Sequence, residues 1–473
     1  MSNFFSVRIE TLGCRLNQVE SEALAVRFAE CGFDVFSKEA ETSILPVKLC
    51  IVNTCTVTGK AEQKARRLIR LLLKEHEESV ILVTGCYAEL EADSIEKINE
   101  RIIAFSGKKK DELDGLPQFL KDVCLKNKDL KVDSVNLKKN LLIFRNKIYA
   151  KEDQQDKSFL INETERNETE RRKSMFKLSS PVFVFHSRAS LKVQDGCNNA
   201  CAYCRIRLAR GTSVSLPAEE AARRIVQIEK NGAAEVVLSG VNLSQYKDEK
   251  YGGFANLLAM LLENTKKIRL RISSMYPECI DESILKIVEN KRICPHFHLS
   301  VQSGSDKILK AMNRSYRETD IRRAVNNLRK VKDNPFIGCD IITGFPSETE
   351  DDFLQTFKMC EDLKIPGIHV FPFSARPGTK AFLMKPKVPE REAGRRASLL
   401  SELSEKNYQS YLASCNGKLF FGVIEKPQNN EDLRIVTENY LSLSLKLNKK
   451  AENYKGGEGL FVVINDGNAY LAD

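Results

Sequence analysis

The sequence predicts an α/β protein in three parts: an amino-terminal parallel α/β sheet domain, a central partial (β/α)6 barrel and a carboxyl-terminal small β-barrel. Strand-length apolar runs alternate with amphipathic helical patterns over the first hundred residues, which implies a parallel sheet. The alternation resumes near residue 190 and runs through six units, too few for the usual eight-stranded barrel. From about residue 412 it gives way to short strands separated by turn signals, the pattern of a small β-barrel.

Bulk properties fit that division. The chain has 473 residues, and at about 150 residues per domain it holds roughly three domains. Apolar residues make up 42 % and charged residues 29 %, ordinary for a globular protein. The formal net charge of +10 favours a polyanionic partner such as nucleic acid. No run of 18 apolar residues occurs, so no transmembrane helix and no membrane partner are expected. The start, MSNFFSVRIETLGC, lacks a basic region followed by an apolar stretch and a cleavage site, which points to a cytoplasmic location. Thiols there stay reduced, so the 14 cysteines are expected to be metal ligands, catalytic groups or core residues rather than disulfides.

In the first part, SVRIET (6–11), LCIVNT (49–54) and SVILVT (79–84) read as strands. NQVESEALAVRFAECG (17–32) reads as a helix stopped by Gly32, and AEQKARRLIRLLLKEH and AELEADSIEKI follow the second and third strands as helices. Cys14, Cys55 and Cys86 each fall just past a strand end. Parallel strands place their carboxyl ends on one edge, where ligands bind, so three thiols from three loops can meet there. Cys50 lies inside its strand and reads as core. Between about 106 and 185, Lys, Asp, Asn and Glu dominate and NETER occurs twice in tandem. This reads as a linker with a solvated, partly disordered segment, in which NLLIFRNKIYA (140–150) adds a strand or helix of its own. The domain boundaries are thus 1–110, a linker 111–185, 186–408 and 412–473.

In the central part the strands are SLKVQ, AEVVLS, KIRLRIS, HFHLSVQ, FIGCDIIT and GIHVFPF, with helices between them such as PAEEAARRIVQIEKNG. After the first strand comes DGCNNACAYC, with Cys197, Cys201 and Cys204 spaced Cys-x3-Cys-x2-Cys. A structural zinc site closes with four ligands, and this stretch offers three and no adjacent histidine. Three cysteines can hold three irons of a 4Fe–4S cluster and leave the fourth open, at the strand-end face where barrel sites lie. In the tail, KLFFGVIEK, LRIVTENY, LSLSLKL, GLFVVIN and NAYLAD read as strands.

The cysteine stretch, with Tyr203 before the third cysteine, resembles the signature of the radical S-adenosylmethionine superfamily. TLGCRLNQVES, NTCTVT, TGCYAE, ARG, LSGVNLSQY, RISSMYPE, HLSVQSGSDKILKAMNR, DIITGFPSETEDDF and FSARPGTKA occur around it in order. Together they are similar to the methylthiotransferase family across nearly the whole chain. The resemblance implies S-adenosylmethionine chelated to the open iron and cleaved by an electron from the cluster to a 5′-deoxyadenosyl radical. It implies a second 4Fe–4S cluster on Cys14, Cys55 and Cys86, a carboxyl-terminal RNA-binding TRAM domain, and an electron donor such as flavodoxin or ferredoxin. The implied reaction is sulfur insertion and methylation at an unactivated C–H bond, consuming two S-adenosylmethionine molecules in different roles. Of the family's branches, GCRLNQVES, NTCTVT and SGVNLSQY resemble the one that modifies N6-threonylcarbamoyladenosine at position 37 of tRNA. The others modify isopentenyladenosine in tRNA or an aspartate of a ribosomal protein. A non-catalytic iron–sulfur RNA-binding protein is the rival from another class.

The resemblance also implies cofactor-binding roles for Tyr203, Ser239, Gly240, Asn242, Ser273 and Gln302, with turn or packing roles as the alternative. Arg210 can pair with a carboxylate or phosphate, or form a surface salt bridge. Asp340 and Gly344 flank a barrel strand, and Pro377 and Gly378 shape a loop. Arg207, Ser300 and Ser347 stand where the family usually has proline, proline and glycine. Cysteines 31, 50, 124, 279, 294, 339, 360 and 415 show no grouped ligand spacing and read as core or incidental. KARRLIR (64–70) reads as a solvated helix face or a phosphate contact, and Tyr440 as a base-stacking candidate.

Overall fold

The computed structural model describes residues 4–37, 45–126, 133–155, 175–425, 433–446 and 454–472. It divides into two compact units, Met1–Phe185 with Arg205–Leu216, and His186–Cys204 with Pro217–Asp473.

The first unit is built on β1 (Ser6–Thr11), α1 (Arg15–Glu30), β2 (Asp34–Phe36), β3 (Val47–Thr54), α2 (Gly59–Glu75), β4 (Val80–Gly85), α3 (Cys86–Glu96) and β5 (Ile102–Ala104). All five strands are parallel, in the order β2-β1-β3-β4-β5. The central strands β3 and β4 are β-branched runs buried on both faces, as a helix-covered parallel sheet requires. Helix α2 begins where the Thr58 hydroxyl accepts the Ala61 N–H, and its Ala65, Ile69 and Leu72 face the sheet. Thr11 lies opposite Asn53, and Thr54 opposite Gly85. The three strands therefore end level, and the residues after them emerge at one edge.

The sequence reading missed β2 and β5, each three residues long. It also read 111–185 as a linker with a strand or helix at 140–150, where the structure has α4 (Leu116–Lys126) and α5 (Ser134–Gln155), the second covering that stretch. Leu116, Leu120, Leu137, Leu141 and Phe144 from these helices are buried with Phe28, Leu49 and Phe105 in one core. Lys, Asp, Asn and Glu dominate that region, so only the few core-facing positions carry a periodic stripe. The NETER repeats lie outside the described residues. A short helix, α6 (Ile206–Arg210), belongs to this unit as well.

The second unit alternates strand and helix: β6 (Ala189–Lys192), α7 (Ala218–Lys230), β7 (Glu235–Ser239), α8 (Phe254–Asn264), β8 (Arg269–Ile272), α9 (Glu282–Val288), β9 (His296–Gln302), α10 (Asp306–Ala311), α11 (Glu318–Val331), β10 (Phe336–Thr343), α12 (Glu350–Asp362) and β11 (Gly367–Pro372). Strands β6, β7 and β8 pair in parallel, and a two-residue continuation of β8, Ser274–Met275, pairs with β9, followed by β10 and β11. The result is the open six-stranded (β/α) arc that the alternation predicts. Helix α13 (Glu390–Ser414) leads to β12 (Leu419–Ile424), β13 (Arg434–Thr437), β14 (Ser442–Lys446), β15 (Gly459–Asn465) and β16 (Asn468–Leu471), a closed barrel. Its core of Ile424, Ile435, Leu441, Leu443, Val462 and Ile464 is nearly inaccessible to solvent.

This barrel packs at the amino ends of the arc strands. Arg269 pairs with Glu438, and Arg271 donates to the carbonyls of Thr437 and Glu438. The Tyr440 ring stacks on His296 at 4.3 Å and lies under the guanidinium groups of Arg188 and Arg271. Its expected base-stacking role is thereby corrected: the ring is engaged at the foot of the arc. The large aromatics that this barrel exposes are Phe461 and Tyr470. Among the described residues, no helix is long and apolar enough to cross a membrane.

Candidate functional site

In the first unit, Cys14 caps α1, Cys55 follows β3 and Cys86 opens α3. Cys55 and Cys86 are buried and Cys14 is exposed. Two glycines allow the loops to close on one another. Gly13, at φ +108°, has Cys55 so near that a Cβ would lie 2.5 Å from the Cys55 Cβ. Gly85, at φ +92°, leaves 2.4 Å between an added Cβ and the Thr54 carbonyl. Any side chain at either position forces the cysteine loops apart.

Asn17 ties these loops together. Its amide donates to the carbonyls of Leu12 and Thr54, at 2.8 and 3.1 Å. Its Oδ1 accepts from the Arg210 guanidinium at 2.6 Å. Arg210 also places Nε 3.3 Å from Cys86 Sγ and Nη1 3.4 Å from Glu20. Glu20 is in turn paired with Lys110 at 2.6 Å. Two buried cations thus face one buried carboxylate, and the surplus positive charge lies against the Cys86 sulfur. Burial pushes the Cys55 thiol up to about 12, and the neighbouring Cys14 and Cys86 thiols add to the effect. Thiols that oppose one another's ionisation in this way ionise together when a cation joins them, which is the chemistry of a metal or cluster ligand set.

In the second unit, the loop after β6 carries Cys197, buried, and Cys201 and Cys204, partly buried. Burial raises the Cys197 thiol, and the Cys201 thiol raises it further. The Asn242 amide lies 4.0 Å from Cys197 Sγ. Arg314 lies over the rings of Tyr276, Tyr203 and Tyr316, at 4.7, 5.7 and 5.7 Å from their centroids. It donates to the Tyr203 hydroxyl, while its Nε and Nη1 are buried with no hydrogen-bond partner. Burial lifts the ionisation of all three tyrosines, so they stay neutral. Among the described residues this buried cation has no carboxylate partner, and it acts on the Cys197 and Cys201 thiols, which fits an anionic cluster.

The other predicted residues gather at the carboxyl ends of the arc strands. Ser239 ends β7 and is fully buried, its hydroxyl facing the Val237 carbonyl at 3.4 Å. Gly240 follows; a Cβ there would lie 2.7 Å from Leu243 and 2.9 Å from Gln194 Oε1. The Asn242 N–H donates to that same Gln194 oxygen at 2.8 Å, and its side chain caps the turn through Ser244. Ser273 interrupts β8, and its buried hydroxyl has no partner. Gln302 ends β9 with φ +70°. Gly344 takes φ +74° beside Ala393, a turn role. Ser347 also holds φ +70°, a conformation that glycine adopts without strain. Arg210 pairs with a carboxylate in a buried network, and the surface salt bridge is set aside.

Sequence reading missed Arg314, Gln194 and Lys110. Arg314 sits inside the quoted HLSVQSGSDKILKAMNR, but nothing local marks it as buried. Its meaning comes from three tyrosines at positions 203, 276 and 316.

The profile of the radical SAM superfamily matches residues 191–360, and that of the uncharacterized protein family UPF0004 matches residues 6–107. The chain is 48 % identical to threonylcarbamoyladenosine tRNA methylthiotransferase MtaB of Treponema pallidum, over 93 % of this chain and 94 % of that protein. The chain belongs to the radical SAM methylthiotransferase family. It is 32 % identical to the MtaB protein of Aquifex aeolicus, over 95 % of this chain and 97 % of that one. It is 31 % identical to tRNA-2-methylthio-N(6)-dimethylallyladenosine synthase of Natranaerobius thermophilus, over 89 % of this chain and 86 % of that one. As a radical SAM methylthiotransferase the protein is a transferase, and a 4Fe–4S cluster and S-adenosylmethionine go with its superfamily.

Proposed function

We propose that this enzyme converts N6-threonylcarbamoyladenosine at position 37 of tRNA to its 2-methylthio derivative in the cytoplasm. The observation that carries the reading is the presence, in one chain, of two separate three-cysteine sets at strand ends, each without a fourth protein ligand in its own loops. The threonylcarbamoyl substrate is supported by the 48 % identity to a protein of that name, against 31 % to a dimethylallyladenosine synthase. The net charge of +10 suits tRNA.

In this reading Cys197, Cys201 and Cys204 hold one 4Fe–4S cluster, and Cys14, Cys55 and Cys86 hold a second. When bound, the first cluster supplies the electron that cleaves S-adenosylmethionine, and a flavodoxin- or ferredoxin-like protein supplies that electron in turn. The Arg314 cation offsets the negative charge of three thiolates in a dry environment. Asn242, held by Gln194, points its amide at the cysteine loop. Ser239, Gly240, Ser273 and Gln302 line the same strand ends, where a bound nucleoside or amino-acid moiety meets backbone and hydroxyl groups. Arg210 holds Cys86 in place and balances its charge. The Phe461 and Tyr470 rings supply the exposed aromatic surface on the carboxyl-terminal barrel for contact with RNA.

Mass spectrometry of tRNA nucleosides from cells with and without the gene tests the substrate. Loss of 2-methylthio-threonylcarbamoyladenosine with accumulation of its parent is the expected result. Loss of the methylthio group from isopentenyladenosine, or an unchanged tRNA with an altered ribosomal aspartate, moves the enzyme to another branch. Replacing Cys197, Cys201 or Cys204 by alanine is expected to abolish 5′-deoxyadenosine production. Retained production would overturn the assignment of the first cluster.

A further inference from the structure

Strands β9, β10 and β11 have two chemically different faces. Phe297, Leu299, Ile337, Cys339 and Ile341 are almost fully buried, and Cys339 meets Cys360 of α12, so this is the helix-covered face. The alternate residues face the concave side of the arc. In the register, His298 lies opposite Gly338 and Asp340 opposite His369. Since Gly338 and Asp340 are two apart on one strand, His298, Asp340 and His369 form a contiguous patch on the concave face.

Their side chains converge. One ligand atom from each lies within 4.8 Å of the other two. His298 Nε2 is 3.4 Å from Asp340 Oδ1. Two ligands each about 2 Å from a tetrahedral zinc ion lie roughly 3.3 Å apart. The His369 ring stands edge-on to His298, 5.3 Å between centroids, within reach after a side-chain rotation.

Two further features orient the group. The Ser274 hydroxyl meets Nδ1 of His298 at 3.0 Å, which leaves Nε2 directed at Asp340. A partner on the far nitrogen is how proteins fix a metal-binding imidazole. Gly338 leaves room for the ring: a Cβ there would come within 3.0 Å of His298 Cδ2. Among the described residues, Asp340 has no lysine or arginine partner; the contact its carboxylate makes is with the His298 ring.

We propose that His298, Asp340 and His369 bind one divalent transition-metal ion, of the zinc, ferrous or cobalt class, on the concave face of the arc. Two imidazoles and one carboxylate suit such borderline ions; magnesium and calcium prefer all-oxygen sites. The donor set is nitrogen and oxygen, which separates it from the two thiol sets. Three protein ligands leave a coordination position open to an oxygen atom of a molecule lying against that face.

The test uses the full chain with its iron–sulfur content intact, washed with EDTA and titrated anaerobically with Zn²⁺ by calorimetry. X-ray absorption at the zinc edge is recorded on the loaded protein. One Zn²⁺ per chain with imidazole and oxygen but no sulfur neighbours is expected. His298→Ala, Asp340→Asn and His369→Gln should each abolish measurable binding. Ser274→Ala should weaken it about 10- to 100-fold, as loss of an orienting partner does. Iron content should stay unchanged throughout. His369 sits exposed on the edge strand, so its variant keeps the fold and remains decisive even if a change at His298 unfolds the arc. No zinc bound to the wild type, zinc with sulfur neighbours, or zinc binding unaffected by His369→Gln would each overturn the proposal.

Discussion

Arg210 shows how burial turns an ambiguous side chain into a defined one. In sequence it is one arginine in LARG. In the structure it is 5 % exposed and spans Cys86, Asn17 and Glu20. Without Arg210, Glu20 keeps Lys110 as its partner, but the buried Asn17 Oδ1 loses its guanidinium donor, at a cost of about 1–3 kcal/mol. Arg210→Met should therefore lower unfolding free energy by that order, read by denaturant titration of the protein under reducing conditions. Arg210→Lys keeps the charge but loses the planar fork and should fall between the two. A loss below about 1 kcal/mol would mean that the network is slack. At this scale Cys197, Cys201 and Cys204 were legible as candidates because their spacing is local, and Cys14, Cys55 and Cys86 because each falls just past a strand end. The cations that answer them were not, because Arg210 and Lys110 reach Glu20 from 190 and 90 positions away along the chain.

Single elements are specified largely by their own residues. Helix α12 begins at Thr349, whose hydroxyl accepts the Asp352 N–H, while the Asp352 carboxylate accepts the Thr349 N–H at 2.9 Å. That carboxylate also takes the Ser305 hydroxyl and the Lys307 ammonium. Burial alone pushes the Asp352 carboxyl up, but Lys307, Thr349 and Ser305 together hold it well below the usual carboxylate range. A depressed folded-state value means the stabilisation is complete above the unfolded value, about 3.9, and fades as pH falls below it. Asp352→Asn should cost about 1 kcal/mol at neutral pH, the worth of a helix cap, and should flatten the loss of stability below about pH 4. Equal acid sensitivity in wild type and variant would exclude Asp352 as a source. Long strands such as β9 and β10 were legible to the residue, since β-branched and alternating patterns mark them. The three-residue strands β2 and β5 were not, because so short a run carries no period. Helix α4 was obscured by a polar surface around a few core positions, and α5 was expected only in part, as a strand or helix over 140–150.

For the molecule as a whole, the informative residue is Arg271. It is fully buried, doubly bonded to Glu235 at 2.6 Å and 2.6 Å, and bonded to the Thr437 and Glu438 carbonyls of the carboxyl-terminal barrel. Glu235 stays ionised: burial opposes it, but the Arg271 charge holds its carboxyl below the usual range. Arg271→Met leaves the buried Glu235 facing only the more distant Arg188 guanidinium, at 3.8 Å, and cuts the bonds to the barrel, at a cost of about 3–5 kcal/mol. The barrel should then melt separately from the arc, as a second, earlier transition in calorimetry. A single undivided transition would show that the apolar contacts of Phe336, Tyr408 and Tyr411 suffice to hold it.

Sequence by itself determined the α/β class, the six strand–helix units, the small terminal barrel and both cysteine sets as candidates. The elements and the Cys197, Cys201 and Cys204 set depend on the order and spacing of residues within about twenty positions, whereas Cys14, Cys55 and Cys86 were grouped by their shared place past strand ends. Tertiary structure alone decided that Arg314 is a buried cation among three tyrosines, that Tyr440 plugs the foot of the arc, and that His298, Asp340 and His369 meet on one face. Those groups come from strands and loops tens to hundreds of residues apart. Only the parallel register, which levels strand ends and aligns side chains across neighbours, brings them together.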